Sequence, residues 1–234
     1  MNSGCGYPTL SAKCAERMGH PAFVLAGGQS YRMGRDKALA ELAGRPLIAH
    51  TLGILREAGC EPRIAGAQSR LSEFASVIPD GQPGLGPLSG ICAALRSLSE
   101  GVSAVFLSVD MPLLPPSLIA YLAWDAEITG SPVTLASVNG FPQTFPAVLS
   151  RAILPQLESA LKQGRGGCFA AFESAAAALG QPIRIVATES LAQAVRPVHP
   201  AGLPPTRWFA NVNTTAELGL AEAWLRRESH GRVA

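Results

Sequence analysis

Residues 22–38 read AFVLAGGQSYRMGRDKA. An apolar run, Ala22 to Ala26, stops at two successive glycines, Gly27 and Gly28. It passes into a stretch holding a third glycine, Gly34, and three cations, Arg32, Arg35 and Lys37. A short apolar run closed by glycine reads as a buried strand turning into a tight loop. Glycine lets backbone N–H groups approach an anion without interference from a Cβ. Arginine grips phosphate oxygens in a bidentate fork, and lysine adds a compact point charge. The stretch therefore reads as a strand followed by a polyphosphate-holding loop, with a nucleoside triphosphate as the expected ligand; the bland alternative is a glycine turn with solvated basic residues. GGQSYRMG fits neither G-x-x-x-x-G-K-[ST] nor G-x-G-x-x-G, which disfavours P-loop hydrolases and ordinary dinucleotide binders.

Outward from that strand, strands and helices alternate, the pattern of a parallel sheet covered on both faces. Pro46 suits the first position of a helix whose apolar stripe is Leu47, Ile48, Leu52 and Leu55, ending at Gly59. A strand is expected over 62–65, a helix near 69–75 and a short strand at Val77 and Ile78. GQPGLGPLSG, with four glycines and two prolines, is a loop leading into a helix over 88–98. An apolar strand over 104–109 and a helix from Pro115 and Pro116 to about Trp124 follow. Strands over 132–138 and 144–149 read as antiparallel and at the edge. Helices over 151–162 and 168–179, a strand over 183–187, an irregular proline-rich segment over 196–205 and a helix over 215–226 complete the chain.

The 234 residues are 47% apolar, ample for one large α/β domain, and the net charge of +2 gives no global field pointing to nucleic acid or a membrane surface. No apolar segment has the length of a membrane span, and the first 20 residues lack a signal peptide's apolar core. They read as a poorly ordered leader preceding a domain over 21–228, in a protein expected in the cytoplasm. Five widely spaced cysteines without C-x-x-C, Cys5 and Cys14 among them, are expected to be reduced thiols. The four histidines are scattered without metal-ligand spacing, and no G-x-S-x-G occurs.

Ligands of open α/β sheets bind beyond the carboxyl ends of the strands. The loop after Ala26, Asp80 and Asp110 all stand at such ends. Asp110 directly follows the apolar VFLSV, where a carboxylate without a partner would be costly. Magnesium suits it, since that ion bridges one or two carboxylates to substrate phosphates. The competing reading is a cap for the helix beginning near Pro115.

Residues 25–38 resemble the signature loop of the molybdenum cofactor guanylyltransferases, within the wider nucleotidyltransferase group. GPLSGI (86–91), SVDMP (108–112) and NVNTTAEL (211–218) follow in that family's order. The resemblance implies a single-domain three-layer α/β/α sandwich, with a mostly parallel Rossmann-like sheet and an antiparallel edge portion. It implies magnesium-dependent transfer of GMP from GTP to the terminal phosphate of molybdopterin carrying molybdenum, with release of pyrophosphate. Transient contacts with a molybdenum-insertion protein and molybdoenzyme apoproteins are further family expectations, with no nucleic-acid or membrane partner.

Residue by residue, the resemblance makes Lys37 and Arg32 neutralisers of the triphosphate and Asp110 and Asn213 the metal site. The backbone of Leu25, Ala26, Gly27 and Gly28 contacts the nucleotide, Asp80 faces the nucleoside, and Gly86, Pro87 and Leu88 line the base. Local alternatives remain: a helix cap or Asx turn for Asn213, a turn-starting aspartate for Asp80, a surface lysine for Lys37, and an ordinary loop-to-helix junction at 86–88. Two features depart from the family. Its asparagine after the second strand falls here near Gly66 or Gln68, and its His-Pro element is replaced by PQTFP (142–146), the region expected to face the acceptor. CTP or UTP with a cofactor, sugar or polyol phosphate is the alternative chemistry, and a non-catalytic nucleotide-binding protein the alternative class.

Overall fold

Strand β1 (His20–Leu25) occupies an inner position of a seven-stranded sheet, and its residues from Ala22 onward are buried on both faces. The computed structural model describes residues 19–27, 36–66, 69–81, 85–164, 167–194 and 199–229. The other strands are β2 (Glu41–Leu42), β3 (Arg45–Pro46), β4 (Cys60–Ala65), β5 (Val77–Ile78), β6 (Ser103–Ser108), β7 (Val133–Val138), β8 (Phe141–Ser150) and β9 (Arg184–Ala187). The helices are α1 (Leu47–Glu57), α2 (Pro87–Arg96), α3 (Pro116–Thr129), α4 (Leu154–Lys162), α5 (Cys168–Ala178), α6 (Thr188–Ala194), α7 (Pro205–Trp208) and α8 (Thr215–Ser229). Strand order is β5-β4-β1-β6-β8-β7-β9, with β2 and β3 forming a separate hairpin. Within the large sheet β8 alone runs antiparallel to its neighbours.

The period-2 geometry of the strands divides the core in two. Ala22 and Val24 of β1, Val105 and Leu107 of β6 and Ala136 of β7 point to one face, where α1, α3 and α8 pack. Phe23 and Leu25, Ala104 and Phe106, and Val133 and Leu135 point to the other, covered by α2, α4 and α5. The architecture is the expected three-layer α/β/α sandwich. Phe23 and Phe106 stack at 5.3 Å between ring centroids, a pairing that contributes about 0.5–1.5 kcal/mol beyond its area.

Helix α1, between β1 and β4, lies on the first face, whereas α2, between β5 and β6, lies on the second. Strand order thus reverses between β1 and β6, the point beyond whose carboxyl ends ligands of open α/β sheets bind.

Several boundaries differ from expectation. The 69–75 segment holds only a 3₁₀ turn, Ser69–Leu71. Five residues separate it from β5, too few to repay helix nucleation, and Leu71 instead plugs the core at 1% exposure. Pro46 is the cap of α1 rather than its first residue and closes the β2–β3 hairpin. The hairpin turns at Ala43 and Gly44, with φ of 50° and 76°, the left-handed pair a two-residue turn needs. The helix expected over 151–162 starts as a 3₁₀ turn, Arg151–Ile153. Helix α3 runs past Trp124 to Thr129 and stops at left-handed Gly130. Helix α6 was not expected.

Strands β7 and β8 are antiparallel on the expected flank, with β9 outermost. Their register changes between Leu135↔Ala147 and Ser137↔Pro142, so residues 143–146 bulge opposite Ala136. The β6–β8 register ends at Phe106↔Ala147. The bulge, containing most of PQTFP and a cis peptide before Pro146, therefore flanks the end of β6 that leads to Asp110.

Cys60, Cys92 and Cys168 are free and buried. Burial pushes the first two thiols up to about 12 and Cys168 to about 11, so all three stay protonated at neutral pH. Cys5, Cys14 and the rest of the leader through residue 18 lie outside the described residues.

Candidate functional site

Lys37 opens a 3₁₀ turn, Lys37–Leu39, immediately after the part of the signature loop that is not described. Asp36 caps the turn: its Oδ1 accepts from the Ala38 N–H at 3.0 Å, and its Oδ2 pairs with Arg70 Nη2 at 2.6 Å. Ala38, 1% exposed, fixes the turn against the core. The lysine stem is thereby buried, leaving the residue only 9% exposed. Its ammonium donates to Asp110 Oδ2 at 2.8 Å and to Asn213 Oδ1.

Asp110 arrives from the end of β6. The N–H of Val109 donates to Leu25 O at 3.2 Å, which carries the β1–β6 pairing to the carboxyl ends of both strands. Helix α3 is capped by Pro115 without a side-chain hydrogen bond, so Asp110 is not its cap. The Asp110 carbonyl accepts from the Val212 N–H at 2.9 Å, and this bond delivers Asn213. Thr214 Oγ1 accepts from the Glu217 N–H at 3.2 Å at the start of α8, while Glu217 Oε2 accepts from the Asn213 N–H at 2.7 Å. This is a displaced version of the capping box. It leaves the Asn213 side chain free of cap duty and directed at Lys37. The Asn213 N–H also holds the Glu217 carboxyl below its ordinary range.

A lysine 37 residues into the chain thus meets an aspartate and an asparagine 73 and 176 positions further on. The other carboxylate oxygen, Asp110 Oδ1, is buried with no hydrogen-bond partner among the described residues. Such an atom is costly unless something else satisfies it. One carboxylate and one amide oxygen, both hard donors, fit magnesium's habit of taking few protein ligands and completing its shell with water and phosphate. No cluster of three or more His, Cys, Asp or Glu suited to a metal occurs among the described residues.

On the far side of β1, Asp80 follows β5 and accepts a hydrogen bond from Ser89 Oγ in the first turn of α2. Gly86 caps α2 at φ 74°, and Pro87 and Leu88 begin it. Three glycines draw these loops together. A Cβ on Gly27 would meet Gly66 O at 2.4 Å, and one on Gly90 would meet Gly66 Cα at 3.4 Å. Gly66 takes the left-handed φ of 76° that its close approach to Gly27 and Gly90 requires. Ala26 N–H donates to Ala65 O at 3.1 Å across the same strand ends. A cavity of about 250 Å³ runs from Gly81 and Ser89 down the groove between α2 and α4 to Arg96 and Glu158, away from Lys37.

Of the expected site residues, Lys37, Asp110 and Asn213 form one cluster. Leu25, Ala26, Gly27, Asp80, Gly86, Pro87 and Leu88 border the same carboxyl-end rim. Gly28 and Arg32 lie outside the described residues. Sequence reasoning missed Asp36, Arg70, Ser89 and Glu217 as supports. Asp36 and Ser89 sat inside quoted motifs, and Glu217 follows Thr214 at capping-box spacing, so those three carried a signal; Arg70 did not.

An α/β sheet that reverses order between β1 and β6 and gathers a lysine, a carboxylate and an amide beyond that point has the architecture of a nucleotide-handling domain. Residues 22–228 match the sequence model of the MobA-like NTP transferase domain, and the chain belongs to that family. It is 35% identical over 218 residues to a molybdenum cofactor guanylyltransferase of Rhizobium meliloti, covering 88% of this chain and 91% of that protein. It is 34% identical over 214 residues to one of Rhodobacter capsulatus, covering 88% and 96%. Among solved structures it resembles molybdopterin-guanine dinucleotide biosynthesis protein A from Archaeoglobus fulgidus, with TM-score 0.70 and 23% identity over 88% of this chain and 99% of that one. A 2-C-methyl-D-erythritol 4-phosphate cytidylyltransferase from Thermus thermophilus superposes with TM-score 0.61 at 17% identity, covering 89% and 100%. At these identities the two structural likenesses establish the fold.

Proposed function

We propose that this protein transfers GMP from GTP to the terminal phosphate of molybdenum-molybdopterin, releasing pyrophosphate and forming the guanine dinucleotide cofactor. The observation that carries the reaction type is the meeting of Lys37, Asp110 and Asn213 beyond the carboxyl ends of the sheet. Guanine and the pterin acceptor rest on the relatives named above, with which the chain aligns over most of its length.

The acceptor, a phosphate monoester with second pKa about 6, is largely dianionic at neutral pH. Its oxygen attacks the α-phosphorus while the bond to the bridging oxygen of the β-phosphate breaks and pyrophosphate leaves. No strong general base is needed; alignment and charge neutralisation are. Lys37 would place its ammonium against the triphosphate, and Arg32 would assist. The Leu25 to Gly28 backbone would meet the phosphates through its amides. Asp80, fixed by Ser89, would face the nucleoside, and Gly86, Pro87 and Leu88 would line the base. Asp110 and Asn213 would hold magnesium, which supplies neutralisation of charge on the transferring phosphoryl group when bound. The bulge at 143–146, beside the end of β6, would face the acceptor.

No helix among the described residues is long and apolar enough to cross a membrane. On this reading the protein works in the cytoplasm, where it would hand its product to molybdenum-insertion and apoenzyme partners, with no nucleic-acid or membrane partner.

The test is pyrophosphate release with GTP, CTP or UTP, with and without molybdenum-loaded molybdopterin, and with magnesium present or chelated. Release only with GTP, pterin and magnesium together is expected. Release with CTP, or only with a sugar or polyol phosphate, would overturn the substrate assignment; no release with any acceptor would leave a nucleotide-binding protein.

A further inference from the structure

Lys37 is held by the same two residues that would hold a metal. Its ammonium bonds both Asp110 Oδ2 and Asn213 Oδ1, so a single cation already sits between the carboxylate and the amide that would ligate the metal. The Lys37 and Asp110 side chains are 10% and 19% exposed, so water screens their attraction poorly. A free divalent ion approaching this place would meet a positive charge and two oxygens already engaged. Asp110 Oδ1, on the same carboxylate that holds the ammonium, is buried and without a hydrogen-bond partner among the described residues.

The lysine can vacate the position only if another anion takes its charge. A flexible four-carbon stem carrying a compact ammonium suits such a swing, and on the reading above the triphosphate of the nucleotide is the anion that would take its charge. Magnesium sheds its water reluctantly and usually enters protein sites together with phosphate. We infer that Lys37 serves as a built-in counter-ion of the nucleotide-free protein, so that the site takes a divalent cation only as its chelate with a nucleoside triphosphate. The inference rests on the reading of Asp110 and Asn213 as the metal site and adds the form in which the ligand is taken up.

The probe is Mn²⁺ alone, titrated into the nucleotide-free full-length chain, with free Mn²⁺ read by electron paramagnetic resonance. The wild-type protein should bind it weakly. Lys37→Met, which keeps the stem and removes the charge, should bind it about tenfold tighter or more. The pair Lys37→Met with Asp110→Asn should lose that gain, which locates the bound ion. Equal affinity in the wild type and Lys37→Met, or tighter binding by the wild type, overturns the inference. Should Lys37→Met fail to fold, the wild type labelled with ¹⁵N at lysine side chains gives the answer by nuclear magnetic resonance. The Lys37 Nζ signal should stay put with millimolar Mg²⁺ and move when GTP is added with it; movement with Mg²⁺ alone overturns the inference. GTP binding retained alongside either overturning result leaves the nucleotidyltransfer reading intact. A chain that binds neither GTP nor metal removes both.

Discussion

Lys37 has two oxygens at its head and a buried stem behind it, and both facts bear on what its loss would do. The stem fills space beside Ala38, so truncation costs packing as well as charge. Lys37→Ala and Asp110→Ala are each expected to lower pyrophosphate release by about 10²-fold or more, the scale of losing one charge-stabilising group in a closed site. Circular dichroism should show both variants folded, and substantial residual turnover in both would remove the assignment. Gly27 is constrained more tightly than either. The 2.4 Å clash its Cβ would make is with the backbone oxygen of Gly66, which cannot rotate away. Gly27→Ala should therefore cost about 1–3 kcal/mol of stability and weaken GTP binding together, as thermal melting with and without nucleotide would report. A loss of stability with nucleotide affinity untouched would separate Gly27 from the site.

The elements that carry these residues were unequally legible. The buried strands β1 and β6 announced themselves by continuous apolar runs ending in glycine or aspartate. Their carboxyl-end residues, which form the candidate site, were therefore readable before any coordinates. The hairpin of β2 and β3 was not, because its turn uses Ala43 in the left-handed region and alanine is no signal for that conformation. The seven-residue helix α6 lacked an apolar stripe long enough to detect. The bulge in β8 depends on which strands flank it, and no local pattern records that. Asp36 and Glu217 were missed for a related reason: their work is to orient a neighbour's backbone. Each can be tested at the level of its element. Asp36→Ala removes a cap and the tie to Arg70, and should cost about 1 kcal/mol while raising the GTP concentration needed for half-maximal rate. Glu217→Ala frees the Asn213 N–H. The Glu217 carboxyl is held low by that N–H, so its anchoring is complete above the ordinary carboxylate range and is lost as pH falls through its lowered value. In the alanine variant metal–nucleotide affinity should fall while the melting temperature barely moves. A normal affinity would mean that Val212 alone positions Asn213.

At the scale of the molecule, a partly buried histidine, His50, and a buried one, His199, each tie together neighbouring segments of the chain. His50, on α1, donates from Nε2 to Leu42 O at 2.7 Å and so joins α1 to β2. His199, 6% exposed, accepts the Ala201 N–H on Nδ1 at 3.0 Å, in the irregular segment that leads to α7. Trp208 closes that same segment by donating from Nε1 to Leu203 O at 2.6 Å. Burial lowers both imidazoles below their ordinary value, only partly opposed by backbone hydrogen bonds at Leu42 and Leu113. A histidine whose folded value lies below its unfolded one favours the neutral fold, so the unfolded chain takes up protons first. Stability is then full above about pH 6.5 and falls as pH drops through that value towards the folded ones. Protonation at Nδ1 of His199 would also cancel the acceptor that Ala201 uses, so acid should loosen this segment early. Melting temperatures measured between pH 8 and pH 5 should be level above about pH 7 and decline below about pH 6.5, and replacing both histidines by glutamine should flatten that decline. A wild-type profile already flat through this window, or one unchanged by the double replacement, would show that neither imidazole is held neutral by the fold.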